Sequence, residues 1–184
     1  MQLEGKRIIV TGVASGIGAG TLRAYVREGA TVTGLDIADQ AGEKIVAEAN
    51  AERPGRAHYR HCDISAPEQV FSAFDAAARA MGGIDVLSWT RTIAYEWASK
   101  YNIRCNCVNP TIKTPMYQQY LDSLDAEALA QHLASEKRQV PLGGSMGDVD
   151  RDMAPVMVFL ASDASRFING QIICVNGGRN MLRG

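Results

Sequence analysis

The sequence predicts an α/β fold, a doubly wound parallel sheet with helices on both faces. Strand-like and helix-like segments alternate from the N-terminus onward, the pattern of parallel strands joined by crossover helices. A glycine-rich turn, Thr11-Gly12-Val13-Ala14-Ser15-Gly16-Ile17-Gly18, stands between the first strand-like run and the first helix-like one. At 184 residues, 46% hydrophobic and 21% charged, the chain suits one domain spanning 1–184 with a substantial core.

The elements follow in order. Arg7-Ile8-Ile9-Val10 reads as the first strand and Ala19 to Glu28 as the first helix, closed by Gly29. Thr31 to Leu35, rich in β-branched residues, is the second strand; an acidic, alanine-rich helix runs from Ala38 to Glu52 until Pro54-Gly55 breaks it. Ala57 to Cys62 is a third strand. Pro67 to Met81 is a helix whose Val70, Phe71, Phe74 and Ala78 recur at helical spacing, and Gly82-Gly83 ends it. Ile84 to Leu87 gives a fourth strand, Ser88 to Tyr101 a helix, and Ile103 to Val108 a strand stopped by Asn109-Pro110.

Residues 111–141 leave the sheet as an excursion, polar and helical over 117–138, expected to form a substrate-side lid. Asp148 to Ala161 reads as a helix with Met153, Val156, Met157 and Leu160 on its apolar stripe, and Gln171 to Val175 as the last strand.

A formal net charge of −1 provides no basic field for nucleic acid or an anionic membrane, so small-molecule partners are expected. No run of 18 apolar residues occurs, which points to a cytoplasmic protein. Cys62, Cys105, Cys107 and Cys174 lie in apolar β-like runs without a C-x-x-C pair and are expected as buried thiols. His58, His61 and His132 share no metal-ligand spacing, and no metal is expected.

Gly12, Gly16 and Gly18 sit where a glycine backbone turns tightly and approaches a pyrophosphate at the positive end of a helix. The bland alternative is an ordinary strand-to-helix turn. Asp36 ends the second strand 18 positions after Gly18, where a carboxylate accepts hydrogen bonds from the adenosine ribose hydroxyls. The same charge repels a 2′-phosphate. With Ser15 in the turn and no Arg or Lys at position 37, NAD is expected rather than NADP; the alternative for Asp36 is a solvated loop acid.

Thr11-Gly-x-x-x-Gly-Ile-Gly18, Asp36 and Cys62-Asp63-Ile64 together resemble the short-chain dehydrogenase/reductase family, a Rossmann-like fold. The resemblance assigns Asp63 and the Ile64 backbone to the adenine; a helix N-cap or turn aspartate is the other reading of Asp63. It resumes at Thr90-Arg91-Thr92-Ile93-Ala94-Tyr95-Glu96, at Ile103 to Pro110, and at Gly170-Gln171 and Asn176-Gly177-Gly178.

Between Leu87 and Ser88 the family's Asn-Asn-Ala-Gly turn, a long helix, a strand with the catalytic serine and the Tyr-x-x-x-Lys pair are absent. The sheet is therefore expected to be shortened by one strand and one helix. The residues four after Tyr25, Tyr59, Tyr95, Tyr101, Tyr117 and Tyr120 are Gly29, Asp63, Ser99, Cys105, Leu121 and Leu124, so no tyrosine has its lysine. Tyr95 and Lys100, five residues apart, would face about 140° apart on a helix. No catalytic residue is assigned.

Pro110-Thr111-Ile112-Lys113-Thr114 resembles the family's Pro-Gly-x-Ile-x-Thr with the glycine deleted, which makes Ile112 and Thr114 candidates for the nicotinamide side; a plain turn is the alternative. The family reaction moves hydride between NAD(H) and a secondary alcohol or ketone. The chain as written is expected to be impaired or inactive, with a non-catalytic NAD-binding or interaction protein as the rival. Homo-oligomers are also implied by the resemblance.

Overall fold

The computed structural model describes residues 1–52, 54–84, 86–87 and 103–179. The expected helix Ser88 to Tyr101, with Tyr95 and Lys100, lies outside the described residues.

The fold is α/β and Rossmann-like. Strands β1 (Arg7–Thr11), β2 (Thr31–Asp36), β3 (Arg56–His61), β4 (Val86–Leu87) and β5 (Arg104–Cys105) form a parallel sheet in the order β3-β2-β1-β4-β5. Helices α1 (Gly16–Arg27), α2 (Asp39–Ala51) and α3 (Pro67–Met81) make the first crossovers. A second parallel pair is built from β6 (Cys107–Pro110) and β7 (Ile172–Val175). Between them lie α4 (Pro115–Asp122), α5 (Ala126–Gln139) and α6 (Ala154–Ala161).

The sheet closes directly across the shortened region. Val86 pairs with Arg104 and Leu87 with Cys105, so the chain after residue 102 takes the place beside β4. Alternation along β1 divides the core. Ile8 and Val10 pack with Val32, Leu22, Tyr25 and Met157 on the α1/α6 side, while Ile9 packs with Leu35, Phe74 and Ile103 on the α3 side. Tyr25 is buried, and its hydroxyl donates to the Met157 carbonyl at 3.2 Å.

Three expectations need correction. The single strand Ile103 to Val108 is two strands, interrupted at Asn106. The Asn106 side chain accepts from Gln171 N–H and donates to the Ile168 carbonyl, both at 3.1 Å, so β5 stays with β4 while β6 turns to β7 and runs on to Pro110. The helix expected from Asp148 begins as a π-helical turn, Val149–Met153, and becomes α-helical only at Ala154. Pro155 has no N–H to donate back to Arg151, which removes one rung of the α ladder there.

The cysteines differ too. Cys62 and Cys105 are buried, but Cys107 and Cys174 are exposed. In the β6–β7 register Cys107 stands opposite Ile172 and Asn109 opposite Cys174, so these four share one face, while Val108 and Val175 turn to the core. No described helix is long and apolar enough to cross a membrane.

Candidate functional site

The glycine turn owes its shape to its glycines. Gly12 and Gly16 adopt φ of 71° and 54°, the left-handed region that side chains avoid. Gly18 is needed for contact instead: a Cβ there would stand 2.0 Å from the Gly12 carbonyl oxygen, so only glycine lets α1 start this close to β1. Helix α1 therefore begins at Gly16, three residues before the expected Ala19. Ser15 is its N-cap residue, and its hydroxyl makes no capping bond.

Asp36 faces this turn. Its Oδ2 accepts from Ala14 N–H at 2.9 Å, and Oδ1 accepts from Ile37 and Ala38 N–H at 2.8 and 3.0 Å. Behind it the Tyr59 hydroxyl lies 2.8 Å from both the Asp36 carbonyl and Asp39 Oδ1, which is also 2.8 Å from His61 Nδ1. The hydrogen bond from His61, then that from Tyr59, holds the Asp39 carboxyl below the usual carboxylate range. Gly42 on α2 makes room for this arrangement, since a Cβ there would come within 2.2 Å of the Tyr59 ring.

Asp63 stands past the end of β3. Its Oδ1 accepts from the Ser65 hydroxyl and N–H at 2.7 and 2.8 Å, the bonds that lower its carboxyl below the ordinary value. That is the turn geometry of the alternative reading, and among the described residues Oδ2 accepts no bond. Ile64 is 51% exposed, and Ile37, beside Asp36, is 64% exposed. Two exposed isoleucines at the C-terminal edges of neighbouring strands suit the faces of a planar base. Sequence reasoning passed over Ile37; its signal was an apolar side chain directly after the acid, in a loop.

The two nicotinamide-side candidates part company. The Ile112 side chain is 7% exposed and packs in the α1/α6 core, and Gly147 pairs its flanking main chain at Thr111 and Lys113. Thr114 instead reaches the glycine turn, its Cγ2 lying 3.5 Å from the position of a Cβ on Gly16. Thr114 also N-caps α4, its Oγ1 accepting from Tyr117 N–H at 3.2 Å.

Helices α4 and α5 are tied together from inside. The Tyr117 hydroxyl bonds the buried Glu136 carboxylate and lies 2.9 Å from His132 Nε2, while Glu136 Oε1 accepts from Met146 N–H at 2.8 Å. A cavity of about 1200 Å³ opens between Thr111, Leu142, Met146, Cys174 and Asn176. Among the described residues no group of His, Cys, Asp or Glu could hold a metal ion.

A family model described as short chain dehydrogenase matches residues 6–89, and one described as Enoyl-(Acyl carrier protein) reductase matches residues 86–180. The chain belongs to the short-chain dehydrogenase/reductase family. Members of this family are oxidoreductases that use NAD(P). The two matches meet at 86–89, which contains the Leu87-Ser88 junction, and mark a shortened member.

Momilactone A synthase of Oryza sativa subsp. japonica is 26% identical, over 98% of this chain and 92% of that protein. That alignment extends over 259 positions against 184 residues here, leaving at least 75 positions without a counterpart. The 2,5-dichloro-2,5-cyclohexadiene-1,4-diol dehydrogenase of Sphingobium indicum is 45% identical over 84 residues, 46% of this chain. That match spans 32% of the relative, about a third of its length.

Among solved structures, a short-chain type dehydrogenase/reductase from Mycobacterium marinum superposes with a TM-score of 0.80 at 21% identity, covering 98% of each chain. A 7α-hydroxysteroid dehydrogenase complexed with NADH and 7-oxo glycochenodeoxycholic acid gives 0.80 at 20% identity, over 96% of this chain and 95% of that one. These likenesses show the shared fold.

Proposed function

We propose that the chain is the cofactor-binding part of a short-chain dehydrogenase/reductase reaction, taking NAD(H) at the glycine turn. One observation carries this reading: the Asp36 carboxylate stands 2.9 Å from Ala14 N–H, at the place where ribose hydroxyls meet the turn. Its negative charge favours NAD over a 2′-phosphorylated cofactor. In this reading the main chain of Gly12, Ser15, Gly16, Ile17 and Gly18 faces the phosphates. Asp63 and Ile64 hold the adenine, and Ile112 and Thr114 belong to the nicotinamide side. The single domain 1–184 carries residues 111–141 as its substrate-side lid.

A bound nicotinamide supplies or accepts hydride, and the family reaction exchanges it with a secondary alcohol or ketone. This chain's residues bind and orient; proton transfer needs a further donor. A lysine beside a tyrosine lowers the phenol towards a useful pKa, and no tyrosine in this sequence has that lysine. The chain is therefore impaired in turnover. The same absence favours a second reading, in which NAD is a structural or regulatory ligand.

Calorimetry on a preparation of confirmed 19.9 kDa mass tests both parts. NADH is expected to bind at least about tenfold more tightly than NADPH, a difference of about 1.4 kcal/mol. Simple alcohols and ketones are expected to turn over at background rate. Undetectable binding of either cofactor overturns the cofactor reading, and robust NAD-dependent turnover overturns the impairment.

A further inference from the structure

Strand β3 is the outer strand of the five-stranded sheet, paired with β2 on its inner side. Arg56 and Cys62 N–H donate inward, to the Ala30 and Asp36 carbonyls, so by alternation the main chain of Ala57, Tyr59 and His61 points outward. At Ala57 that edge is already filled. The Asn50 side chain accepts from Ala57 N–H at 2.7 Å and donates to the Ala57 carbonyl at 3.0 Å, the kind of bonds a neighbouring strand would make. Beyond it, the outward N–H and C=O of Tyr59 and His61 have no hydrogen-bond partner among the described residues.

One face of the same strand is basic. Arg56, His58 and Arg60 alternate with Ala57 and Tyr59 and so share the face of Cys62, which packs on the α3 side. Helix α3 itself packs over β1 and β2, and the three basic residues are exposed. Glu68 of α3 lines a hollow of about 200 Å³ with Arg60, yet among the described residues none of the three side chains has an ion-pair or hydrogen-bond partner. The two arginines stand about 13 Å apart along the strand with His58 midway, in a chain whose net charge is −1. Such a row repels a second copy of itself. It suits carboxylates about 6.6 Å apart, the repeat of alternate side chains on an extended chain.

We propose that β3 accepts an extended acidic peptide as an added strand, bonded at Tyr59 and His61 and bearing glutamate or aspartate at every second position beside His58 and Arg60. Main-chain bonds hold such a peptide and the charges select it. The proposal is independent of the cofactor reading.

The test is fluorescence anisotropy of the full chain with a labelled eight-residue peptide alternating glutamate with threonine, beside a peptide of the same composition with its four glutamates in one block. The alternating peptide is expected to bind at least about fivefold more tightly, and Arg60→Ser to weaken it at least about threefold while retaining the melting temperature. Hydrogen exchange of the Tyr59 and His61 amides is expected to slow in the complex. Equal affinity for the two peptides, unchanged exchange at those amides, or an Arg60→Ser chain that binds as the unaltered one does overturns the proposal. An oligothymidylate that binds more tightly than the alternating peptide also overturns it, in favour of a phosphate backbone. If neither peptide binds, the row serves only to keep the edge from pairing with other strands, and the proposal falls.

Discussion

Ala14 N–H donates to Asp36 Oδ2 across 2.9 Å, joining the glycine turn to the end of β2. Asp36→Ala strips the acceptor from three backbone N–H groups, those of Ala14, Ile37 and Ala38. Bonds to a charged acceptor contribute about 1.5–3 kcal/mol, less where water reaches them. Asp36→Ala is expected to weaken nucleotide binding at least about tenfold and to lower the urea midpoint, with Asp36→Asn, which keeps one acceptor oxygen, in between.

Gly12 and Gly18 separate two reasons for glycine. A Cβ at Gly12 meets nothing within 4 Å, so Gly12→Ala costs only the left-handed conformation, about 1 kcal/mol. A Cβ at Gly18 meets the Gly12 carbonyl oxygen at 2.0 Å and forces α1 away from β1, which costs about 1–3 kcal/mol. Urea denaturation is expected to rank Gly18→Ala as the more damaging, although Gly18 has the less unusual backbone.

Glu136 links the α4–α5 pair to acid stability. Burial pushes its carboxyl up, but the Tyr117 hydroxyl, Met146 N–H and the charges of Lys113 and His132 outweigh that and hold it below the ordinary value of 4.5. A carboxyl lowered in the folded state stabilises the fold above its unfolded pKa and loses that contribution as pH falls through the folded value. Stability is thus expected to drop as pH falls below 4.5. Glu136→Gln should flatten this decline in urea melts taken across that range. Asp39, Asp63 and Asp163 shift in the same direction, so part of the decline persists.

What the sequence shows and what it hides follow from how local each feature is. Helix α3 is legible from Pro67 to Met81 because both ends are local: a proline in the first turn and Gly82 at φ 74°. The glycine turn and Asp36 are legible for the same reason, their spacing being set within one strand-helix-strand unit. The break at Asn106 depends on bonds to Ile168 and Gln171, more than sixty residues away, which no local pattern carries. Thr114 is visible as a motif residue, but its approach to Gly16, 98 positions earlier in the chain, is a long-range relationship that no local pattern carries.

The thiols give a direct check of the β6–β7 register. An apolar run shows that a strand is half-buried without showing which face is covered, and here Cys107 and Cys174 share the exposed face. Brief alkylation of the native chain is expected to add two labels, at Cys107 and Cys174. Denatured chain should take four, since none of the four cysteines is tied up in a disulfide. Peptide mass mapping that places early labels on Cys62 or Cys105 would contradict the strand assignment.

Arg104 is the least anticipated structural residue, and its role is testable by charge-conserving substitution. Its guanidinium donates to the carbonyls of Leu160 and Ser162 at 2.8 and 3.2 Å and of Ile168 at 3.3 Å. Leu160 and Ser162 lie at the C-terminal end of α6, where carbonyls lack partners within the helix and a cation is favoured by the dipole. One planar fork thus fastens β5 to α6 and to the turn that leads into β7. Arg104→Lys keeps the charge but offers a single ammonium where two nitrogens now serve three carbonyls. It is expected to cost about 1–3 kcal/mol in urea denaturation, with Arg104→Met costing more because no donor remains. If Arg104→Lys melts like the unaltered chain, charge alone suffices and the fork geometry is not what holds α6 to the sheet.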